Sequence, residues 1–412
     1  MSTIAGIITI QQHRSISQIL PDLKQDNYQT PLLQYFSYLY ALEIAEGRSF
    51  EPVYITFSEN DIIRAIAYFQ IVHFKGKELG TFLNEPEQKK GFSVCLRQAF
   101  GNLLVGKVEE MELNLMASGN LFITGDKGFY CAKDVTATEK ESISRQVIDY
   151  IKNRVMDAME VGTLLIRDFY SDDDGFDFLN NIGFVGFPTE PDMMMKLPEH
   201  WRDFHDYTNA LSSKYRVKLK KIMEQSEQVI LRKLSSEEVS VQEQRLWQLY
   251  ENVANHSNFN LSYLPTSYFS DTQKLFGERF QVYGYYFEEK MIGFSSVFIC
   301  HEKNTLEDHY IGLDYENTSH VNLYHRMLFD FVNIALEYRL TNIHYGRTAT
   351  EIKSSVGAVP IEMKAYIYHN SKLKNFFLAP ITRKVKAKEY IIRKPFKQTT
   401  METKTMEVVA NE

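Results

Sequence analysis

The chain reads as a mixed α/β protein made of two similar halves. Three observations carry that reading. Short runs rich in Val, Ile, Tyr and Phe are bounded by turn residues. Between them lie segments whose apolar residues recur every three or four positions, the spacing of one helix face. The order helix, antiparallel strands, helix, strand, helix, strand then occurs twice. Aromatic residues reach 13%, mostly Tyr and Phe, which suits sheet-rich domains.

In the first half, Val53 to Phe57 and Ala65 to Phe74 read as strands, with Lys75-Gly76-Lys77 as a turn. Met111 to Met116 and Leu121 to Cys131 follow, the second broken by the hairpin-type turn Gly125-Asp126-Lys127-Gly128. Ser142 to Met159 reads as a helix, because Ile143, Val147, Ile151, Val155 and Met159 share one face. Gly162 to Phe169 is a strand and Gly175 to Asn181 a short helix. The join between halves is expected at Asp192 to Arg202, marked by Pro188, Pro191 and Pro198. In the second half Val239 to Asn255 is a helix. Gln281 to Phe287 and Met291 to Cys300 form a hairpin around Glu288-Glu289-Lys290, and Leu306 to Tyr315 is a further strand. Leu323 to Tyr338 is an amphipathic helix with Tyr324, Met327, Leu328, Phe331, Ile334, Ala335 and Tyr338 on one face. Ile343 to Tyr345 returns to strand, and Ala365 to Tyr368 is expected to close this half.

The 412 residues suffice for two or three domains, and 44% hydrophobic with 24% charged residues is ordinary globular composition. A net charge of −7 argues against binding nucleic acid with the whole surface, while leaving room for a local basic groove. Cys95, Cys131 and Cys300 have neither metal-like spacing nor a disulfide pattern, which fits a reducing cytoplasm. No signal peptide and no membrane span are expected.

The segment His344 to Ala358 carries the most chemistry. A strand ends in Gly346 and Arg347, and Thr348-x-x-Glu351 reads as a capping box at a helix start. Gly357 fits the position just past the helix end. Arg347 and Lys353 beside a helix N-terminus are expected to hold an anionic group of a substrate or cofactor, against the plainer readings of an i,i+4 pair with Glu351 and a solvated lysine. Asp308 and His309 are neighbours on a strand, so their side chains face opposite ways unless a bulge intervenes. Asp308 or Asp314 is a candidate base, with Tyr310 or Tyr345 as hydroxyl donor. Tyr324, His325 and Arg326 open the long helix and are candidates for contact with the donor.

Other motifs fall away. Asp172-Asp-Asp-Gly175 fails as a calcium loop at its first and twelfth positions, Tyr170 and Asn181. Gly293-Phe-Ser295-Ser296-Val297 lacks the closing glycine of a nucleophile elbow. No metal site is expected from the histidines. Two basic stretches remain: Lys214 to Lys221 on a helix, and His369 to Lys397, where nine Lys/Arg face one Glu among interleaved aromatics. The second suits either a solvated face or contact with RNA or acidic lipid.

Three segments together resemble the FemAB-like, BioF-associated branch of the GNAT acyltransferases: Tyr310-Ile-Gly-Leu-Asp-Tyr315, the helix Leu323 to Tyr338, and Gly346-Arg-Thr-Ala-x-Glu-x-Lys353-x-x-x-Gly357-Ala. The match runs from about Arg279 to His369, and Leu211-Ser-Ser-Lys-Tyr-Arg216 resembles the opening of that family's second domain. The resemblance implies a mixed α+β chain of two tandem GNAT-like domains, each a mostly antiparallel sheet flanked by helices. It divides the chain into residues 1–195, residues 196–370, and a basic C-terminal extension with a mobile tail at 371–412. It further implies transfer of an acyl group from acyl-CoA, or an aminoacyl group from tRNA, to an amine of a small metabolite, lipid or cell-envelope precursor. Asp308, Tyr310 and Tyr345 are then the catalytic candidates. Arg347, Lys353, Tyr324, His325 and Arg326 are the cofactor-binding ones. Ordinary GNAT enzymes hold the CoA pyrophosphate with Q/R-x-x-G-x-G/A before the long helix. Here that loop is Glu316-Asn-Thr-Ser-His-Val-Asn-Leu-Tyr324, without glycine. A non-catalytic GNAT-like binding module is the alternative from another class.

Overall fold

The computed structural model describes residues 7–23, 30–45, 48–75, 112–170, 176–256, 263–318, 321–376 and 390–397. Cys95, the Gly76 turn, the Asp172–Gly175 segment, residues 377–389 of the basic stretch and the expected tail at 398–412 lie outside them. The chain divides into two compact units. One comprises Met1–Glu190, Phe259–Pro265 and Glu362–Lys388; the other comprises Pro191–Asn258, Thr266–Ile361 and Glu389–Glu412.

In the first unit, β1 (Ile8–His13), β2 (Glu51–Glu59), β3 (Ile62–Lys75) and β4 (Glu112–Ser118) form an antiparallel run. β5 (Phe129–Cys131) pairs with β3 to one side. β4 then lies parallel to β6 (Thr163–Tyr170) over three residue pairs, Leu115–Thr163 to Ala117–Leu165. β7 (Val185–Pro188) completes this part of the chain. In the second unit the sequence order is β8 (Asp192–Lys196), β9 (Ile230–Lys233), β10 (Phe280–Phe287), β11 (Lys290–Cys300), β12 (Thr305–Leu313), β13 (Asn342–Gly346) and β14 (Val359–Ile361). Here β9 to β12 are the antiparallel run. β12 lies parallel to β13 over three pairs, Thr305–Asn342 to Glu307–His344.

The last strand, β15 (Met363–His369), does not close the second half. It pairs with β6 and β7 in the first sheet, while β8 occupies the equivalent place between β13 and β14 in the second. Only the first sheet therefore takes a strand, β15, from beyond the other, whose strands β8 to β14 are consecutive in sequence. The expected linker at Asp192–Arg202 is in part β8, whose Met193 and Met195 are buried. The three prolines mark its flanks, and three consecutive methionines, Met193 to Met195, give no alternation that would mark a strand. The division at 190/191, and the return of 362–388 to the first unit, differ from the expected boundaries at 195 and 370.

Local chemistry explains most elements. The β2–β3 and β10–β11 hairpins turn on Asn60-Asp61 and Glu288-Glu289, all four with positive φ, the twist that two-residue hairpins need. The helix expected at Ser142–Met159 begins earlier, at Ala137, behind a Thr136–Glu139 capping box. It passes through a wide turn at Ile151–Val155 before Met156–Ala158. Residues 121–128 are not strand. Asp126 ties this loop by accepting from the Asn120 and Gly128 amides at 2.7 and 3.0 Å and from the Tyr130 hydroxyl at 2.6 Å. The Leu323–Glu337 helix buries Leu323, Met327, Leu328, Phe331, Ile334 and Ala335 in the second unit's core. Burying side chains of this size stabilises by roughly 1.5–3 kcal/mol each.

Candidate functional site

The parallel pairing of β12 and β13 stops at Glu307–His344. Beyond it β12 continues from Asp308 to Leu313 beside β11 alone, so the two strands are no longer paired with each other at their carboxyl ends. Open α/β sheets place ligands at the carboxyl ends of their strands. A bulge sits at this point: Ser296 pairs with Tyr310 and Val297 with Asp308, leaving His309 extra. The Ser296 hydroxyl serves both backbone groups of Tyr310, at 3.0 and 3.1 Å.

The bulge cancels the expected alternation. His309 and Tyr310 both pack on Tyr268 and on one another, with ring centroids 4.6 Å apart between the pair. Burial holds His309 down at about 3, and its Nε2 is hydrogen-bonded to the Tyr268 hydroxyl. Tyr310 also meets Tyr250 edge to face. Asp308 belongs to a different neighbourhood, interacting with Lys353, His344, Tyr324 and Tyr345. The Asp308 carboxyl is half-buried and, among the described residues, makes no hydrogen bond. Desolvation pushes it up to about 7, against the pull of Lys353 and His344. That value suits a group that takes protons at neutral pH. Asp314 is the opposite case. Despite some burial, Arg245 at 2.8 Å and Lys290 at 3.1 Å hold it at about 2, so it acts as a structural anchor.

Lys353 is not a solvated cation awaiting an anion. It is buried, and its Nζ donates to the carbonyls of Tyr345 (2.6 Å), Gly346 (3.2 Å) and Arg347 (2.6 Å). These are the carbonyls β13 exposes as it leaves the sheet, so the ammonium finishes the strand. The expected capping box also fails to form. Gly346, Thr348 and Ala349 all have positive φ, at 67°, 66° and 48°. The helix runs only from Thr350 to Ser354, with no side-chain cap. Glu351 pairs instead with Arg393, whose Nε lies 3.1 Å away. Gly357 does take positive φ, 119°, and a Cβ there would lie 2.6 Å from the Phe396 ring.

The remaining candidates separate by partner. The Tyr345 hydroxyl is buried and donates to the Leu328 carbonyl at 3.2 Å, so it is committed to the helix. Tyr324 is half-buried; burial, with Asp308 nearby, keeps its hydroxyl protonated far above the usual tyrosine range. Arg326 binds both carboxylate oxygens of Asp330 at 2.9 Å and also reaches Ser226 at 3.2 Å. His325 accepts from Lys218 Nζ at 3.0 Å, and burial first, then that lysine, holds it neutral at about 4. Arg347 is half-buried, its carbonyl taken by Lys353.

Sequence reasoning missed the ionic group beneath Asp308. His344 lies between Glu307 on Nδ1 and Asp192 on Nε2. Burial alone would lower it, but the two carboxylates raise it to about 10, so it is an imidazolium. No short-range pattern joins Asp192 to His344; the pairing of β8 with β13 brings them together. Among the described residues no group of His, Cys, Asp or Glu is arranged to hold a metal ion, and no helix is long and apolar enough to cross a membrane.

No protein-family model matches the chain, and no curated protein matches it. Solved structures do. A tandem GNAT protein from the clavulanic acid biosynthesis pathway superposes with a TM-score of 0.51 at 9% identity, covering 89% of this chain and 99% of the other. FemX gives 0.48 at 10% identity, covering 89% and 100%. A GCN5-related N-acetyltransferase from Sphaerobacter thermophilus gives 0.43 at 8%, covering 88% and 96%. The fold is thus mixed α+β, with two mostly antiparallel, helix-flanked sheets that form two GNAT-like domains.

Proposed function

We propose that the second unit is an N-acyltransferase that moves an acyl group from a thioester donor, acyl-CoA, to an amine at the carboxyl ends of β12 and β13. The observation that carries this reading is the Asp308 carboxyl, half-buried at the end of the parallel pairing and raised to about 7. The amine nitrogen attacks the thioester carbonyl and passes its proton to Asp308. The C–N bond forms as the C–S bond breaks and the thiolate leaves. Tyr324, kept protonated beside Asp308, offers a hydrogen bond to the carbonyl oxygen as it gains charge. Tyr345 and Lys353 act one step back: the first fixes the helix that carries Tyr324, and the second fixes the end of β13. The acceptor, in this reading, is an amine of a small metabolite, lipid or envelope precursor.

The test is acyl transfer from acetyl-CoA and longer acyl-CoAs to a panel of primary amines, with Asp308→Asn alongside. Turnover that disappears in Asp308→Asn supports the reading. Turnover untouched by that substitution, or transfer only from aminoacyl-tRNA, would sink the base assignment or the donor respectively.

A further inference from the structure

The Ser213–Gln225 helix carries Lys214 and Lys218, and the second lies against the opening turn of the Leu323–Glu337 helix. Lys218 Nζ donates to His325 Nε2 at 3.0 Å and to the Ser355 hydroxyl at 3.1 Å. Both partners are neutral, and an ammonium has three hydrogens to give. Among the described residues, then, this half-buried cation has no carboxylate of its own, and one N–H remains for a ligand. Lys214 and Arg393 act on the same ammonium, as does Glu351. Glu351 is the one acid of the group, and Arg393 already holds it through Nε and Nη2. Three cations against one carboxylate leave a local excess of two positive charges in a chain of net charge −7.

We propose that Lys218, Lys214 and Arg393 hold the pyrophosphate of a nucleotide-type small molecule. The proposal deepens the acyl-donor reading above, since it assigns the donor's phosphates to side chains. The loop from Glu316 to Tyr324 has no glycine, so close approach of a phosphate to bare backbone is disfavoured there. Asn322, just before the long helix, sits in the left-handed region and offers no side-chain cap. Lysine and arginine side chains supply what the backbone does not. A pyrophosphate diester, with one ionised oxygen on each phosphorus, matches the excess charge. Burial first, then Arg393 and Lys214, hold the Lys218 ammonium below the usual lysine range. An anion bound there reverses that and returns the lysine to full charge.

The experiment is isothermal titration of the full chain with inorganic pyrophosphate, with unacylated coenzyme A, and with unfractionated tRNA. It includes Lys218→Met, Arg393→Gln and Lys220→Met. Lys220 is an exposed control on the same helix, its Nζ 3.6 Å from Glu224. Pyrophosphate and coenzyme A should bind. Lys218→Met and Arg393→Gln should each weaken both by at least about tenfold, the scale of one lost charge-assisted contact. Lys220→Met should leave them unchanged. Arg393 lies in an exposed ion pair, so its variant remains informative if Lys218→Met fails to fold. Absence of pyrophosphate binding, equal affinity in Lys220→Met and Arg393→Gln, or Lys218-dependent binding of tRNA alone would overturn the proposal. Asp308→Asn should bind normally, which separates this outcome from failure of the acyl-transfer reading.

Discussion

The two units contain the same joint, and they finish it differently. In each, a strand of the antiparallel run meets a parallel neighbour over three residue pairs. In the first unit the space past that joint is spanned by the protein itself. The Ser118 hydroxyl accepts the Arg167 amide at 3.0 Å, and the Arg167 guanidinium reaches the Asn120 carbonyl at 3.0 Å. Arg167 also pairs with buried Asp168 at 2.7 Å, and Asp168 takes the Gly125 amide at 3.0 Å. Asp168 holds a positive φ of 68° to do so. In the second unit the corresponding space begins at Asp308, whose carboxyl makes no hydrogen bond among the described residues. The same frame supports a closed structural network in one case and an open carboxyl in the other. Fold similarity alone does not distinguish the two ends; the partner of the acid does.

The largest expected effect falls on that open acid. Asp308→Asn should lower the rate of acyl transfer by about 10²–10⁴-fold, the range of a general base, with binding retained. The wild-type rate should rise with pH through about 7, where Asp308 gives up its proton. Stability should move the other way. A carboxyl raised from 3.8 to about 7 in the folded state stabilises it fully below 3.8 and loses that contribution as pH rises through 7. Asp308→Asn should therefore melt higher than wild type at pH 8 and flatten that slope. A substitution that slows transfer but melts lower at pH 8 would mean Asp308 is a structural acid like Asp168.

Next come the ionic groups that frame the two joints. His344→Gln leaves Glu307 and Asp192 facing each other without their cation and should cost about 3–5 kcal/mol, read by denaturant unfolding. Because His344 is raised from 6.5 to about 10, its contribution is complete below 6.5 and fades as pH rises through 10; the variant should lack that alkaline fall. Arg167→Met should cost a similar amount by stranding Asp168, while leaving the pH dependence of acyl transfer unchanged. If it shifts that profile, the first unit is not a closed frame. Lys353→Met removes the donor to three carbonyls and should cost about 3 kcal/mol. The smallest effect belongs to Glu351→Ala, under about 1 kcal/mol, since its pair with Arg393 is exposed.

Local patterns in the sequence carried the elements but not which sheet each one joins. The 3.6-residue spacing marks the Leu323–Glu337 helix, and polar pairs mark both hairpins, because these are fixed by neighbours in the chain. β8 and β15 are short and flanked by proline or loop. Which sheet each joins depends on partners more than 140 residues away in the first case, as with Asp192 and His344. Asp308 was legible as a candidate base on a strand. Its separation from His309 and Tyr310 was not, because one bulge at Ser296 decides it. Lys353 drew notice for its place in the motif, but a lysine that satisfies carbonyls has the same letter as one that binds anions. Lys218 belonged to a basic run that read as a charged helix, or as an RNA contact if the donor is aminoacyl-tRNA; its neutral partners, His325 and Ser355, distinguish it from Lys220.

The return of β15 to the first sheet sets an order of events in synthesis. The first sheet needs β15 between β6 and β7, and β15 is made after every strand of the second sheet. A nascent chain cannot finish its first domain until residue 369 has emerged. Until then β6 presents an open edge of buried-type residues, Leu164, Leu165 and Ile166, which is a hazard for pairing with other chains. Long-range closure of this kind is slow. The first domain should therefore mature late, closing its sheet only after every strand of the second sheet has been made.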